Sequence, residues 1–343
     1  MNKLTVSIAI LGATGAVGET LLTILEERKF PVDKLYLLAS ERSAGKTYRY
    51  GGRELKVQNV ADFDFSQVQI GLFSAGGQVS AEYAPKAVAA GCLVIDNTSC
   101  FRYDDDVPLV VSEVNPEAIA LANKRGIIAN PNCSTMQMMV ALKPIHDAVG
   151  IERINVATYQ AVSGSGRRAV ETLAKETAQL LSGQTVEPST YPTQIAFNVL
   201  PHIDTFEDNG YTREEMKMVW ETKKILGDDK IEVNPTAVRV PVFYGHSEAV
   251  HIETRQKITA AEVQQLLATA PGVKLMNDTQ PGGYPTPVKE GNGTDGVYVG
   301  RIREDISHPR GINLWVVADN IRKGAALNAV QIAERWLEDT ACS

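Results

Sequence analysis

Residues 5–28 read TVSIAILGATGAVGETLLTILEER, and the reading of this stretch decides the fold. Thr5 to Leu11 is a short β-rich apolar run, fit for a buried parallel strand. GATGAVG follows at once, with Gly12, Gly15 and Gly18, and ETLLTILEER then shows helical periodicity. Strand, glycine turn and helix, in that order, is the context a dinucleotide fingerprint requires. The glycines let the backbone approach a pyrophosphate, whose charge sits at the helix N-terminus. The spacing is GxxGxxG rather than GxGxxG, so a glycine-rich turn that holds no ligand is the alternative.

The next strand, KLYLLAS, should end where a ribose is read, and it ends in Ser40, Glu41, Arg42 and Ser43. A plain NAD site places an acid here for the 2′-hydroxyl. A guanidinium with two hydroxyls suits a 2′-phosphate instead, which favours NADP provided that Glu41 points away. Further strands are expected at QIGLFSAGG (69–77), CLVIDNTS (92–99) and GIIAN (126–130), with helical stretches between the earlier ones. This alternation predicts an α/β fold with a doubly wound parallel sheet. Ligands in such sheets collect at the carboxyl ends of the strands. Gly12, Ala13, Thr14, Gly15, Ala16 and Val17, with Ser74, Ala75 and Gly76, are therefore the candidates to hold the dinucleotide.

Asn130 to Cys133 lies at another such end, which would make Cys133 face the cofactor crevice. The stretch PNCSTMQMM (131–139) places that cysteine where a helix should begin. Ser134 and Thr135 can cap it, and the run through Met136, Val140, Leu142 and Ile145 is apolar enough to be buried. At a helix N-terminus the unpaired N–H groups and the dipole favour an anion, so a thiolate is stabilised there. The alternative is a small core hydrophobe.

The 343 residues are enough for two domains, and a hydrophobic fraction of 44% with 22% charged residues is that of a globular protein. A net charge of −7 with no block of Lys or Arg argues against nucleic acid or an anionic membrane as partner. No apolar run approaches the ~20 residues of a membrane span. The apolar run in MNKLTVSIAILGATG leads into a glycine turn rather than a cleavage site. Cys92, Cys100, Cys133 and Cys342 show no CxxC spacing and no nearby His pairs. Neither a metal site nor a disulfide framework is expected, and free thiols imply a reducing, cytoplasmic setting.

From about Ile151 the pattern changes to an α+β domain. RINVATYQAVSGSG (153–166) is a β-type run ending in a glycine loop, and RRAVETLAKETAQLL follows as a helix. Residues 184–214 are irregular, EEMKMVWETKKIL is helical, and AVRVPVFYGHSEAVHIET reads as two joined strands. A cysteine nucleophile usually needs a basic partner. Of five histidines, His246 stands out after Gly245 at a break in that strand pair, with Arg239 seven residues earlier. An odd separation puts the two on opposite faces of an unbroken strand, so a bulge at Gly245 would be needed to turn both to one site. A structural histidine is the alternative.

NPNCST, TYQAVSGSG, WETKKIL, AVRVPVFYGHSEAVHIE, VADNIRKGAALNAVQIAE and the N-terminal GATGAVG together resemble the aspartate-β-semialdehyde dehydrogenase family. They run in order over essentially the whole chain. The resemblance implies a Rossmann-type domain over residues 1–131 completed by the C-terminal helix 320–343. It implies an inserted catalytic, homodimer-forming domain over 132–319. The activity implied is NADPH-dependent reduction of L-aspartyl-4-phosphate to aspartate semialdehyde with release of phosphate, in the synthesis of lysine, threonine, methionine and diaminopimelate.

The same resemblance makes Cys133 the thioester nucleophile, His246 the acid–base residue and Gln160 the residue that orients the intermediate. Arg239 would grip the substrate carboxylate and Glu221 its ammonium, while Lys224, Arg102 and Asn132 would hold the phosphate. Ser163, Gly164 and Asn320 would lie near the nicotinamide. By spacing alone, Glu221 and Lys224 are an ordinary i, i+3 surface pair. Where the family commonly has DNSSAFR this chain has DNTSCFR, so Cys100 is a second thiol near Arg102. N-acetyl-γ-glutamyl-phosphate reductase, a non-catalytic homologue and a cysteine hydrolase are the rival readings.

Overall fold

A computed structural model describes residues 5–342; residues 1–4, where the N-terminal apolar run begins, residue 343 and the Cys342 side chain lie outside the described residues. The chain divides into two compact units, Met1–Pro131 with Ala325–Ser343, and Asn132–Gly324.

The first unit opens with β1 (Val6–Leu11), α1 (Ala16–Glu27), β2 (Val32–Ala39), β3 (Thr47–Tyr50), β4 (Arg53–Asn59), β5 (Ile70–Phe73), α2 (Gly77–Ala89), β6 (Leu93–Asp96) and β7 (Ile127–Ala129). The second carries α3 (Cys133–Val149), β8 (Ile151–Gln160), α4 (Arg167–Leu181), α5 (Arg213–Leu226), β9 (Glu232–Arg239), β10 (His246–Thr254), α6 (Ala260–Ala268), β11 (Val273–Leu275), β12 (Val297–Glu304) and β13 (Gly311–Ala318). The final helix, α7 (Leu327–Cys342), returns to the first unit.

Seven strands in the order β3-β4-β2-β1-β5-β6-β7 form the first sheet, parallel except for the β3–β4 hairpin. Every residue of β1 is buried, as a central parallel strand requires. Ile8 and Ile10 share one core with Leu21, Ile24 and Leu25 of α1 and with Val330, Ala333 and Leu337 of α7. The larger of these side chains each contribute about 1.5–3 kcal/mol by leaving water. The C-terminal helix thus shares the core of the N-terminal sheet.

The second unit is built on a six-stranded mixed sheet, β11-β12-β13-β10-β8-β9. Helices α3, α5 and α6 pack against its strands. The expected pair of joined strands is β9 and β10, but the two are not hydrogen-bonded to each other. They flank β8, parallel on the β9 side and antiparallel on the β10 side. The long β13 and β12 partners were not anticipated from the sequence.

Candidate active site

The candidate site residues fall into two sets, one in each unit. In the first unit the turn after β1 makes the approach that glycine permits. Gly12 has φ +93°, and a Cβ on it would lie 2.8 Å from the Ser74 backbone. A Cβ on Gly18 would collide with the Gly12 carbonyl oxygen, so α1 packs on the turn only because both positions lack side chains. Gly15 caps α1 without any side-chain hydrogen bond, which leaves first-turn N–H groups for an anion. A cavity of about 570 Å³ lies here, lined by Gly12, Thr14, Gly15, Ser40, Arg42, Ser43, Ser74 and Ala75 among others. Glycine cradle, helix terminus and guanidinium together fit a dinucleotide.

The lining of this cavity departs from expectation in two respects. Ala13 is fully buried and Val17 packs against the core, and neither they nor Ala16 and Gly76 line the cavity. Glu41 does line it, beside Arg42, rather than pointing away. Both occupy a short helical turn after β2, which brings consecutive side chains to one mouth. Elsewhere in this unit, Asp96 accepts from Thr98 N–H, Thr98 Oγ1 and Ser80 Oγ, bracing the loop that carries Arg102. Arg102 is buried and donates to the Asn97 carbonyl at 2.9 Å. The Cys100 thiol is pushed up by burial, then by Asp96 and Asp104.

In the second unit Cys133 is the first residue of α3, as expected. The cap is Asn132 rather than Ser134 or Thr135: its Oδ1 accepts from Ser134 N–H at 3.0 Å and Thr135 N–H at 3.2 Å. Its Nδ2 donates to Glu214 Oε1 at 2.9 Å, and its backbone N–H to Glu221 Oε2 at 2.6 Å. Asn132 is therefore occupied in seating Cys133, which limits the phosphate-binding role expected of it. On the other side, a Cβ on Gly324 would lie 2.7 Å from that of Cys133.

Gln160, Arg239 and His246 stand together at the ends of three neighbouring strands. Gln160 and Arg239 are register partners across β8 and β9, and β10 starts at His246 on the other side of β8. No bulge is needed to reconcile their odd separation. Gly245 (φ +88°) instead closes a loop that crosses from β9 to β10. The Ala161 peptide links the two side chains: its carbonyl accepts Arg239 Nη1 at 2.8 Å, and its N–H donates to His246 Nδ1 at 3.0 Å. Arg239 Nε is buried with no protein partner. Burial first, and then Arg239, hold the fully buried His246 down at about 3.

The sequence reading missed Glu214 and Lys217. Glu214 accepts from Asn132 Nδ2, from Gln160 Nε2 at 3.2 Å and from Lys217 Nζ at 3.1 Å. Lys217 also meets Asp204 at 2.7 Å. Burial raises the Glu214 carboxyl, but Lys217, Asn132 and Arg239 outweigh it and bring it down to about 2. Further along α5, Glu221 is fully buried and Lys224 half-buried. A usable signal existed: Glu214 and Glu221 fall on the helix stripe that holds Met218 and Ile225, and acids seldom lie on a buried face without a task. Ser163 and Asn320 are buried and hydrogen-bonded to each other, and Asn320 Oδ1 accepts from Gly245 N–H at 3.0 Å. Gly164 is exposed beside Arg239 and His246. Among the described residues no group of His, Cys, Asp or Glu is placed to hold a metal ion, and no helix is long and apolar enough to cross a membrane.

Comparison with known proteins finds two matching domains. Residues 7–122 match the family model "Semialdehyde dehydrogenase, NAD binding domain", and residues 142–323 match "Semialdehyde dehydrogenase, dimerisation domain". The aspartate-semialdehyde dehydrogenase of Legionella pneumophila is 65% identical over 328 residues, 96% of this chain and 94% of the relative. The crystal structure of aspartate semialdehyde dehydrogenase II from Vibrio cholerae complexed with ASA aligns at TM-score 0.96 and 63% identity, covering 98% of this chain and 99% of that one. The Candida albicans enzyme with NADP aligns at TM-score 0.76 and 26% identity, over 97% and 98% of the two chains. Similarity of this depth through both units makes the chain a member of the aspartate-semialdehyde dehydrogenase family, oxidoreductases of aspartate-family amino-acid biosynthesis.

Proposed function

We propose that this enzyme reduces L-aspartyl-4-phosphate to L-aspartate 4-semialdehyde, reversibly and with release of phosphate, through a thioester on Cys133 and with NADPH as reductant. The observation that carries the reading is the seat of Cys133: first residue of α3, beside an Asn132 held by Glu214, which also holds Gln160. The ASA complex of the Vibrio cholerae relative and the NADP complex of the Candida relative support the choice of substrate and cofactor.

The Cys133 thiolate attacks the acyl phosphate carbonyl; the C–S bond forms as the C–O bond to phosphate breaks. NADPH, when bound at the glycine turn, supplies the hydride that reduces the thioester. Gly12, Thr14, Gly15, Ser74 and Ala75 hold its pyrophosphate end, and Arg42 with Ser40 and Ser43 its 2′-phosphate. Because Glu41 shares that cavity, the preference for NADP over NAD reflects the balance of Arg42 against Glu41. Ser163, Gly164 and Asn320 are assigned to the nicotinamide end on the resemblance alone.

Arg239 takes the substrate carboxylate with the edge that includes its unpartnered Nε. Gln160 orients the acyl group, and His246 serves its oxygen. Glu214, rather than Glu221, takes the ammonium: Glu221 Oε2 is committed to the Asn132 backbone, whereas Glu214 lies on Gln160. Lys217, on that same carboxylate, replaces Lys224 as the lysine beside the substrate. Arg102 receives the departing phosphate, a role that rests on the resemblance. The enzyme acts as a homodimer through its dimerisation domain, in the cytoplasm, where reducing conditions keep the thiol in use.

N-acetyl-γ-glutamyl-phosphate reductase remains the chemical rival, and its substrate lacks a free ammonium for Glu214. Reduction of NADP in the presence of phosphate should proceed with aspartate semialdehyde and not with N-acetylglutamate semialdehyde. The opposite selectivity would overturn the reading.

A further inference from the structure

Glu248 is an acid that the proposed reaction does not use, and it sits where three supports of the site meet. It lies on β10 two residues from His246, on the same strand face. Its register partner across the ladder is Thr158, whose Oγ1 accepts from Gln160 Nε2 at 3.2 Å. Helix α3 packs against β10 and brings Gln137 to the Glu248 carboxyl. Gln137 follows Cys133 by four residues, about one helical turn, so the two share a face of α3. Glu248, Gln137 and Thr158 are all fully buried.

This placement costs stability. Neither oxygen of Glu248, and neither polar atom of the Gln137 side chain, has a hydrogen bond of good geometry. Burial pushes the Glu248 carboxyl well above the usual range, and the Gln137 amide is close enough to pull against it. No charged side chain among the described residues enters that balance, and His246 on the same strand face is itself held down at about 3. The folded chain thus keeps a proton that the unfolded chain releases, so the cost grows as pH rises above 4.5. The surroundings are apolar: Val250 and Ile252 continue the strand face, and Met136 and Met138 flank Gln137. An apolar pair of similar volume would pack here without that cost.

We infer that Glu248 and Gln137 are a positioning pair that locks the nucleophile helix α3 to the strands whose ends carry Gln160 and His246. A protonated carboxyl offers one donor and one acceptor, and so does the edge of a carboxamide. Small rotations about their broad terminal torsions close both bonds, O–H to the amide oxygen and N–H to the carboxyl oxygen. Apolar contact has no direction and would let α3 shift along the sheet, whereas two directed bonds fix it. Neither residue touches the reacting atoms; both act through the helix that begins at Cys133. The inference rests on Cys133 being the nucleophile.

Glu248→Leu, Gln137→Leu, the double variant and Glu248→Gln test it in the full-length enzyme, with aspartate semialdehyde, phosphate and NADP. Each leucine variant should lower kcat about 10- to 100-fold, the scale of a nucleophile displaced by up to about 1 Å. The KM for aspartate semialdehyde and the affinity for NADP should stay nearly unchanged. The double variant should lose no more than either single one, because the pair works as a unit. Glu248→Gln keeps a donor and an acceptor toward Gln137 and should keep most of the turnover. In urea denaturation Glu248→Leu should be at least as stable as wild type, with a gap that widens from about pH 5 to about pH 8. Wild-type kcat in Glu248→Leu, additive losses in the double variant, or a Glu248→Gln as slow as Glu248→Leu overturns the inference. So does a Glu248→Leu that is less stable than wild type or fails to fold. If Cys133→Ser keeps its turnover, the thioester reading fails, while the coupling of positions 137 and 248 is still read from the urea measurements.

Discussion

Gly324→Ala tests how tightly the nucleophile is seated. The added methyl would lie 2.7 Å from Cβ of Cys133 and 3.3 Å from its Cα, whereas ordinary contact begins at 3.4 Å. One of the two backbones must therefore yield by about 0.7 Å, since no flexible side-chain tip is available to move. Cys133 is held from the other side by the Asn132 cap, whose Oδ1 binds Ser134 and Thr135 and whose Nδ2 is tied to Glu214. Overpacking of this kind costs about 1–3 kcal/mol of stability. Its effect on catalysis is the larger one, because a misplacement near 1 Å can lower a rate on the order of 10²-fold. Steady-state kinetics with aspartate semialdehyde should show kcat down by about 10- to 100-fold. Dinucleotide affinity, measured by fluorescence titration, should be unchanged, since the glycine turn belongs to the other unit. A folded variant with wild-type kcat would refute the claim that Gly324 sets the position of Cys133.

Glu214→Gln should raise the KM for aspartate semialdehyde and destabilise the fold at pH 7, read by urea denaturation. Its carboxyl is lowered from 4.5 to about 2, so the charge contributes roughly 3 kcal/mol that is present above pH 4.5 and lost as pH falls toward 2. The gap between variant and wild type should close over that range. Arg42→Ala should raise the KM for NADP and leave that for NAD nearly unchanged; equal losses would remove Arg42 from the 2′-phosphate. Arg239→Lys keeps the charge but loses the fork and the Ala161 contact, and should cost at least ~1.5–3 kcal/mol in kcat/KM.

Where local pattern and tertiary outcome share one cause, the sequence was sufficient. A fully apolar strand, a glycine turn and a periodic helix specify β1, the turn and α1 within one short stretch, because the turn chemistry and the burial are local. The start of α3 at Cys133 was legible for the same reason, although Asn132, Ser134 and Thr135 are all capable of capping and only packing selects Asn132.

Arg239 and His246 were harder. Seven residues apart, they violate strand parity, and nothing local reveals that β8, far upstream of both, lies between their strands. The α5 residues illustrate a second limit. Glu214–Lys217 and Glu221–Lys224 are both i, i+3 pairs, and they lie seven residues apart, nearly two whole turns, on the same helix face. Periodicity cannot choose between them. The choice is made by what faces α5: the side chains of Asn132 and Gln160 at Glu214, and a backbone N–H at Glu221. Glu41 and Arg42, adjacent in sequence, were expected to diverge but share a cavity because a helical turn replaces extended chain.

The most direct test of the central claim is to trap the acyl enzyme. Enzyme mixed with L-aspartyl-4-phosphate in the absence of NADPH should gain the mass of one aspartyl group. Peptide mapping should place it on Cys133, and hydroxylamine should remove it, as for a thioester. Cys133→Ser should bind NADP normally and show no adduct. Cys100, whose thiol burial and two aspartates hold back, should remain unmodified. An adduct on Cys100 or elsewhere, or full turnover by Cys133→Ser, would contradict the account.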